Sequence, residues 1–312
     1  MKIIIIDKID KYLKKKLLKN KCNLTENLYD SKEQILKNFN FDGIILRSRF
    51  NIDFDFIKKA KGLKFIARYG SGMEHIETKY AERFNIKCIN CPEGNKDAVA
   101  EHTVGLILCL FNKINVSHNQ IKKGVWDREK NRGLELMNKT IGIIGYGNTG
   151  QSLCEKLKGF NCKIIVYDKY KKNYENDFIK EVSIDEIFNN SDILSIHIPL
   201  NNETKNMINK SFLNKFKKPI FVINTSRGQI VNTNDLIDFL KNEKILGACL
   251  DVLEYEEMSF DKINSINDNM IFLQKSDKVL LTPHIAGLTF ESKKRIAEIL
   301  ANKILDFIKS IK

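Results

Sequence analysis

Short apolar runs rich in Ile, Val and Leu recur along the chain, separated by stretches in which apolar residues return every three or four positions. The first kind of run predicts strands buried on both faces; the second predicts amphipathic helices. In the first third, strands are expected at 1–7, 43–47, 63–68 and 86–90, the last stopped by Pro92. Helical patterns lie between them, including a Lys-rich one at 11–21 and others at 57–61 and 77–84. A long helix, apolar over a wide face, is expected at 97–113. Strands at 141–144, 163–167, 193–198, 220–224, 246–250 and 279–282 then alternate with helical patterns. That alternation predicts a doubly wound parallel sheet. A closing helix at 292–309 follows once the sheet is complete, so it can pack back on the first domain. The expected fold is α/β, with two Rossmann-like or flavodoxin-like domains. Residues 97–287 form the doubly wound sheet, inserted into a discontinuous domain of 1–96 plus 288–312.

Composition narrows the class. Of 312 residues, 43% are hydrophobic and 29% charged, the balance of an ordinary globular protein. The net charge is +13, but only 8 of the 52 basic residues are Arg and the lysines are spread along the chain. A nucleic-acid protein more often concentrates its charge in a stripe with interleaved aromatics, so no nucleic-acid partner is expected. The densest run, 11–21, reads as the solvated face of a helix. The seven cysteines sit mostly in apolar runs and read as small buried hydrophobes in a reducing cytoplasm. Cys88 and Cys91 have metal-like spacing but no second Cys/His pair nearby, so no metal is expected. The apolar run at 3–6 is too short for a signal segment. No stretch approaches the ~20 apolar residues of a membrane span, and no membrane partner is expected.

The strand at 141–144 runs into Gly145-Tyr146-Gly147-Asn148-Thr149-Gly150, and a helical stretch follows. After the next strand comes Asp168, 18 residues beyond the last Gly. Three glycines alone would read as a turn without a ligand. Strand, helix and acid together make a dinucleotide fingerprint. Gly145 permits the tight turn, Gly147 lets the backbone approach a pyrophosphate, and Gly150 lets helix and strand pack closely. The amides near Asn148 and Thr149 would face the phosphate charge. Asp168 would take the adenosine ribose hydroxyls and repel a 2′-phosphate, so NAD is expected rather than NADP.

Three later strands end in polar segments: Asn224-Thr225-Ser226-Arg227-Gly228, Asp251-Val252-Leu253-Glu254-Tyr255-Glu256-Glu257, and Thr282-Pro283-His284-Ile285-Ala286-Gly287. Strand ends border the ligand crevice of an open α/β sheet. Taken singly, a His beside a Pro is more often a core or capping residue. An Arg, a Glu and a His after successive strands suit hydride transfer at a carbinol carbon. His284 would take the hydroxyl proton. A Glu on its far ring nitrogen would fix the tautomer and stabilise the imidazolium. Arg227 would grip a substrate carboxylate bidentately.

With these segments, 67–76 (Ala-Arg-Tyr-Gly-Ser-Gly-Met-Glu-His-Ile), 91–102 (Cys-Pro-Glu-Gly-Asn-Lys-Asp-Ala-Val-Ala-Glu-His) and His197-Ile198-Pro199-Leu200, the sequence resembles the D-isomer-specific 2-hydroxyacid dehydrogenases over nearly its whole length. The resemblance implies Arg227, Glu256 and His284 as the catalytic set. Its spacing, five residues after Asp251, selects Glu256 over Glu254 and Glu257. It implies a cofactor site lined by the Gly145 turn with Asn148, Thr149, Asp168, His197, Pro199, Thr225, Ser226, Arg227, Asp251, His284, Ala286 and Gly287. It implies substrate binding at Arg68, Ser71, Gly72 and Asn95, and a homodimer formed through the nucleotide domain. The stretch 92–101 is most similar to short bacterial phosphoglycerate dehydrogenases, which implies oxidation of D-3-phosphoglycerate with Arg49, Arg68 and Arg132 as candidates for the phosphate. A C-terminal regulatory domain, and feedback through it, are not expected.

Two other readings stand beside that one: a glyoxylate/hydroxypyruvate or D-lactate-type reductase, and a non-catalytic NAD-sensing corepressor-like protein. Asn occupies positions 138 and 161 where relatives often have Gly, and Asn tolerates a left-handed backbone. Cys249 is expected in the core. His75 and His102 read as structural because neither shows an acidic partner in the sequence. Trp126 reads as a packing residue ahead of the nucleotide domain.

Overall fold

The computed structural model describes residues 1–257, 263 and 267–311. Apart from a few residues, these divide into two units, 1–96 with 288–311 and 97–256 with 267–287. In the first unit, β1 (Lys2–Ile5), β2 (Asn23–Glu26), β3 (Gly43–Leu46), β4 (Phe65–Arg68) and β5 (Lys87–Ile89) form a parallel sheet in the order β2-β1-β3-β4-β5. Its central strands β1, β3 and β4 are apolar at nearly every position because both faces are covered. Ile3, Ile5, Ile45, Phe65 and Ala67 meet Leu13 and Leu17 of the helix Lys11–Lys19 and Leu300, Ala301 and Ile304 of the helix Phe290–Ser310. Ile4, Ile44 and Ile66 meet Phe56, Ile57 and Ala81 on the other face. Each fully buried Leu, Ile or Phe among them contributes roughly 1.5–3 kcal/mol. The Lys-rich helix is therefore held by two leucines one turn apart, with its lysines left mainly to solvent.

The second unit holds β6 (Thr140–Ile144), β7 (Lys163–Tyr167), β8 (Ile179–Glu181), β9 (Ile193–Ile196), β10 (Ile220–Asn224), β11 (Ile245–Leu250) and β12 (Val279–Leu281). All pair in parallel, in the order β12-β11-β10-β9-β6-β7-β8. Ile141, Ile143, Ile193, Ile223 and Cys249 face Ala100, Ile107 and Leu153. Leu194, Ile196, Val222, Ala248 and Leu250 face Leu236, Ile237 and Leu240. The chain runs outward in both directions from β6, so the carboxyl ends of β6 and β9 flank a topological switch point.

Expected and observed strand ends differ by one or two residues, within the usual fraying of assignments. Two edge strands carry no sequence signal. β2 reads Asn-Leu-Thr-Glu with no fully buried residue, and β8 is three residues long. Asn138 and Asn161 do adopt left-handed backbones, with φ of 64° and 51°. Trp126 is a correction: it is 78% exposed and packs in no core. No helix among the described residues is long and apolar enough to cross a membrane.

Candidate active site

The turn after β6 is built on close approaches. Gly145 has φ +99°, and a Cβ there would lie 2.3 Å from the His197 carbonyl oxygen. A Cβ on Gly150 would lie 2.0 Å from the Gly145 carbonyl oxygen. Gly147 differs: nothing lies within 4 Å of where its Cβ would be. Gly147 caps the helix Asn148–Leu157, which has no side-chain cap hydrogen bond among the described residues. An open backbone at an uncapped helix start fits a pyrophosphate.

Asp168 follows β7 and accepts the amides of Tyr146 at 2.7 Å and of Tyr170 and Lys171 at 2.8 Å each. Burial pushes its carboxyl up, but those three amides and the Lys171 charge outweigh it and hold it below the usual range. A carboxylate has about four lone-pair sites, so a ribose hydroxyl can still be accepted. His197, after β9, is 9% exposed and pushed down to about 4 by burial. Its ring is neutral, with Nε2 2.7 Å from the Ser195 hydroxyl and Nδ1 buried without a hydrogen-bond partner among the described residues. Pro199, beyond it, is exposed and its carbonyl takes the Thr204 hydroxyl at 2.7 Å.

After β10, buried Asn224 organises the loop: its amide donates to the Arg227 carbonyl at 2.9 Å and its oxygen accepts from Ser226 N–H at 3.0 Å. Ser226 bonds the Ile196 carbonyl, and the Thr225 hydroxyl lies 3.1 Å from that of Thr103. The Arg227 guanidinium, half-buried, donates to the Ser226 carbonyl at 2.6 Å. A Cβ on Gly228 would lie 2.0 Å from the Leu253 backbone, so only Gly lets this loop meet the one after β11. The roles of Asn224 and Gly228 went unread in the sequence.

Asp251 ends β11, 1% exposed. Its carboxylate accepts the Thr282 hydroxyl at 2.6 Å and the Ile285 and Ala286 amides at 2.9 Å each, and its carbonyl accepts His284 N–H at 2.7 Å. Burial pushes this carboxyl up; the hydrogen bonds from His102, Thr282, Ala286 and Ile285 bring it below the usual range. Asp251 thus anchors the segment after β12 that carries His284, Ala286 and Gly287. His284 itself sits at φ 54°, a strained backbone for a non-glycine residue of the kind found at functional sites. Its Nδ1 lies 2.7 Å from Glu256 Oε2. The other Glu256 oxygen accepts the Leu253 amide, which fixes the carboxylate. Glu254 is occupied elsewhere, taking the amide and hydroxyl of Thr233 at 3.1 and 2.8 Å at the start of the helix Thr233–Lys241. Among these carboxylates, Glu256 is the one placed on the histidine. The expectation that His102 has no acidic partner is corrected: its Nε2 lies 3.1 Å from the Thr282 hydroxyl and 3.5 Å from Asp251 Oδ1.

Arg68, Ser71, Gly72 and Asn95 lie in the other unit. Arg68 ends β4 and donates to the Tyr69 carbonyl at 3.1 Å; the Ser71 carbonyl takes the Asn90 amide at 2.6 Å; Ser71, Gly72 and Asn95 are half-buried. Of the phosphate candidates, Arg49 has its guanidinium on the carbonyls of Ile6, Asn27 and Asp30, so its hydrogen bonds brace the β1 and β2 ends instead. Arg132 is exposed and paired with Glu129 at 2.6 Å. Burial pushes the thiols of Cys91 and Cys154 up to about 12 and raises that of Cys249, which sits in the core as expected.

A glycine turn at an uncapped helix start, an acid after the next strand and a fixed Glu–His pair thus lie at the carboxyl ends of strands of one parallel sheet. Residues 104–286 match the NAD binding domain of the D-isomer specific 2-hydroxyacid dehydrogenases. The chain is 32% identical to D-3-phosphoglycerate dehydrogenase of Archaeoglobus fulgidus over 100% of its own length and 58% of that protein. It is 36% identical to glyoxylate reductase of Thermofilum pendens over 89% of this chain and 82% of that one. Among solved structures, an acyclic imino acid reductase in complex with NADPH and D-Arg superposes with a TM-score of 0.88 at 28% identity, covering 99% and 98% of the two chains. The chain belongs to the D-isomer specific 2-hydroxyacid dehydrogenase family, and its cofactor is NAD. It spans little more than half the length of the Archaeoglobus relative.

Proposed function

We propose that the chain oxidises the C2 hydroxyl of a D-2-hydroxy acid, and reduces the matching 2-oxo acid, with D-3-phosphoglycerate as the physiological substrate. The observation that carries the reading is the 2.7 Å contact of His284 Nδ1 with Glu256. That bond leaves Nε2 as the ring nitrogen to exchange a proton with the substrate oxygen. NAD bound on the Gly145 turn, with Asp168 at its ribose, supplies the hydride acceptor. Arg227 takes the substrate carboxylate, and its fork geometry holds the planar group in register. Thr225, Ser226, His197, Pro199, Ala286 and Gly287 line the cofactor; Arg68, Ser71, Gly72 and Asn95 contribute to substrate binding.

The phosphorylated substrate is favoured by the similarity to a phosphoglycerate dehydrogenase along the whole chain. The glyoxylate reductase similarity supports a second reading, reduction of glyoxylate or hydroxypyruvate. Turnover of 3-phosphoglycerate, glyoxylate, hydroxypyruvate and pyruvate with NAD(H) and NADP(H) separates them. A kcat/KM highest for 3-phosphoglycerate with NAD is expected. No turnover of that substrate, with glyoxylate reduced efficiently, removes it.

We also propose a cytoplasmic homodimer. The helix Ile114–Lys122 buries none of its residues, and Ile114, Ile121, Val125 and Trp126 are 53%, 51%, 47% and 78% exposed. A short helix with no buried face is marginal alone, and a second copy would cover it. Light scattering should give twice the 36.1 kDa chain mass, falling to one chain in Ile121→Glu.

A further inference from the structure

The family reading gives no role to His102 and Thr282, which form a polar cluster with Asp251. His102 lies on the helix Lys96–Phe111, well away in sequence from the segment that carries His284. The Thr282 hydroxyl lies 2.6 Å from Asp251 Oδ1. Asp251 is held ionised by its hydrogen bonds, and an ionised carboxylate only accepts. The Thr282 proton therefore points at Asp251, and the hydroxyl oxygen is left to accept. His102 Nε2, 3.1 Å away, must then be the donor. That places a proton on Nε2: His102 Nε2–H donates to Thr282, which donates to Asp251, and the same nitrogen lies 3.5 Å from Asp251 Oδ1. The same carboxylate receives the amides of Ile285 and Ala286, and the Asp251 carbonyl receives the amide of His284.

We infer that His102 is a positioning residue for the proposed reaction, acting as an Nε2–H donor that completes the hydrogen-bond relay through Thr282 and Asp251 to the segment bearing His284. This rests on the dehydrogenase reading. His102 touches no reacting atom. It saturates the relay at its far end, so that Thr282 keeps one rotamer and Asp251 keeps its oxygens aligned with three donors. His284 is held at a left-handed φ of 54° by this backbone anchor. A loosened anchor misplaces its Nε2, and small misplacements cost rate before they cost binding.

The test has two parts. Selective 15N-histidine labelling gives five imidazoles to resolve. His102 is expected to carry a protected Nε2–H proton whose shift moves in Thr282→Val. An Nδ1–H tautomer, or a ring proton indifferent to Thr282→Val, overturns the relay without reference to activity. In turnover assays, His102→Leu is expected to lower kcat by about tenfold while the NADH dissociation constant changes less than about twofold. His102→Gln, which places an N–H donor near the same point, should recover most of that rate. Thr282→Val combined with His102→Leu should be no worse than the weaker single variant. Wild-type kcat in His102→Leu, or equal losses in the Leu and Gln variants, contradicts the inference. Absence of wild-type turnover on every 2-hydroxy and 2-oxo acid defeats the dehydrogenase reading instead, and leaves the relay to be judged by the spectra.

Discussion

Two segments at the carboxyl ends of strands in the same unit are held in opposite ways. The turn after β6 is shaped by what it lacks: Gly145 and Gly150 leave room for backbone on backbone, and Gly147 faces open space. The segment after β12 is shaped by what it engages, since buried Asp251 gathers the Thr282 hydroxyl and three amides from residues 284–286. In the first, the helix from Asn148 starts with no side-chain cap among the described residues, which suits an anionic ligand. The second must hold one imidazole to a fraction of an ångström, so its donors are bound. The one segment is shaped by subtraction and the other by hydrogen bonding.

The largest effect should come from removing the anchor. Asp251→Ala leaves the Thr282 hydroxyl and the buried Ala286 amide without their acceptor and should cost about 3–5 kcal/mol in urea unfolding. A loss below about 1 kcal/mol would show that the segment is held by something else.

Next come the glycines, where the comparison predicts a split. Gly150→Ala forces a Cβ to 2.0 Å of a carbonyl oxygen, which should cost about 2–4 kcal/mol and abolish NADH binding. Gly147→Ala meets nothing within 4 Å. Its unliganded melting temperature should hold or rise slightly, while the stabilisation given by NADH disappears. If both variants lose the same stability without ligand, the cradle is not made as described.

The pH dependence is of similar size. Burial holds His197 down to about 4. The unfolded chain takes up this proton below about 6.5 and the folded chain resists until about 4, so stability falls as pH drops through that window and levels off beneath it. The linked loss is about 3 kcal/mol. Asp168 and Asp251 are depressed carboxyls. Their contribution is complete above about 4 and is lost as pH falls through their folded values. Urea midpoints at pH 7.5 and 4.5 should differ markedly in the wild type and much less in His197→Gln; identical slopes would refute the assignment.

The smallest effect separates neighbouring carboxylates. Glu254→Ala removes acceptors from the start of the helix Thr233–Lys241 and should cost about 1 kcal/mol, with kcat unchanged. A large fall in kcat would mean that Glu254, not Glu256, serves the histidine.

The same contrast explains what could be read in the sequence. The glycine turn is local, with its spacing, preceding strand and following acid within 30 residues, so Gly145 to Asp168 was legible. The buried strands were legible because both faces are covered, whereas β2, with no fully buried residue, left no run to see. The acidic partner of His102 was not legible because Asp251 and Thr282 lie 149 and 180 residues away. Gly228 was passed over because the Leu253 backbone it accommodates lies on another strand's loop. Trp126 was assigned to packing on its apolar character, yet the fold leaves it outside. Arg49 was a phosphate candidate by charge alone, and only the fold shows its carbonyl partners.

The central claim is that the Glu256-bound imidazole of His284 moves the substrate proton. His284→Asn, measured for both turnover and NADH affinity, tests it most directly. The account predicts a fall in kcat of about a hundredfold or more, with the NADH dissociation constant within about threefold of wild type. Wild-type turnover in His284→Asn would contradict it.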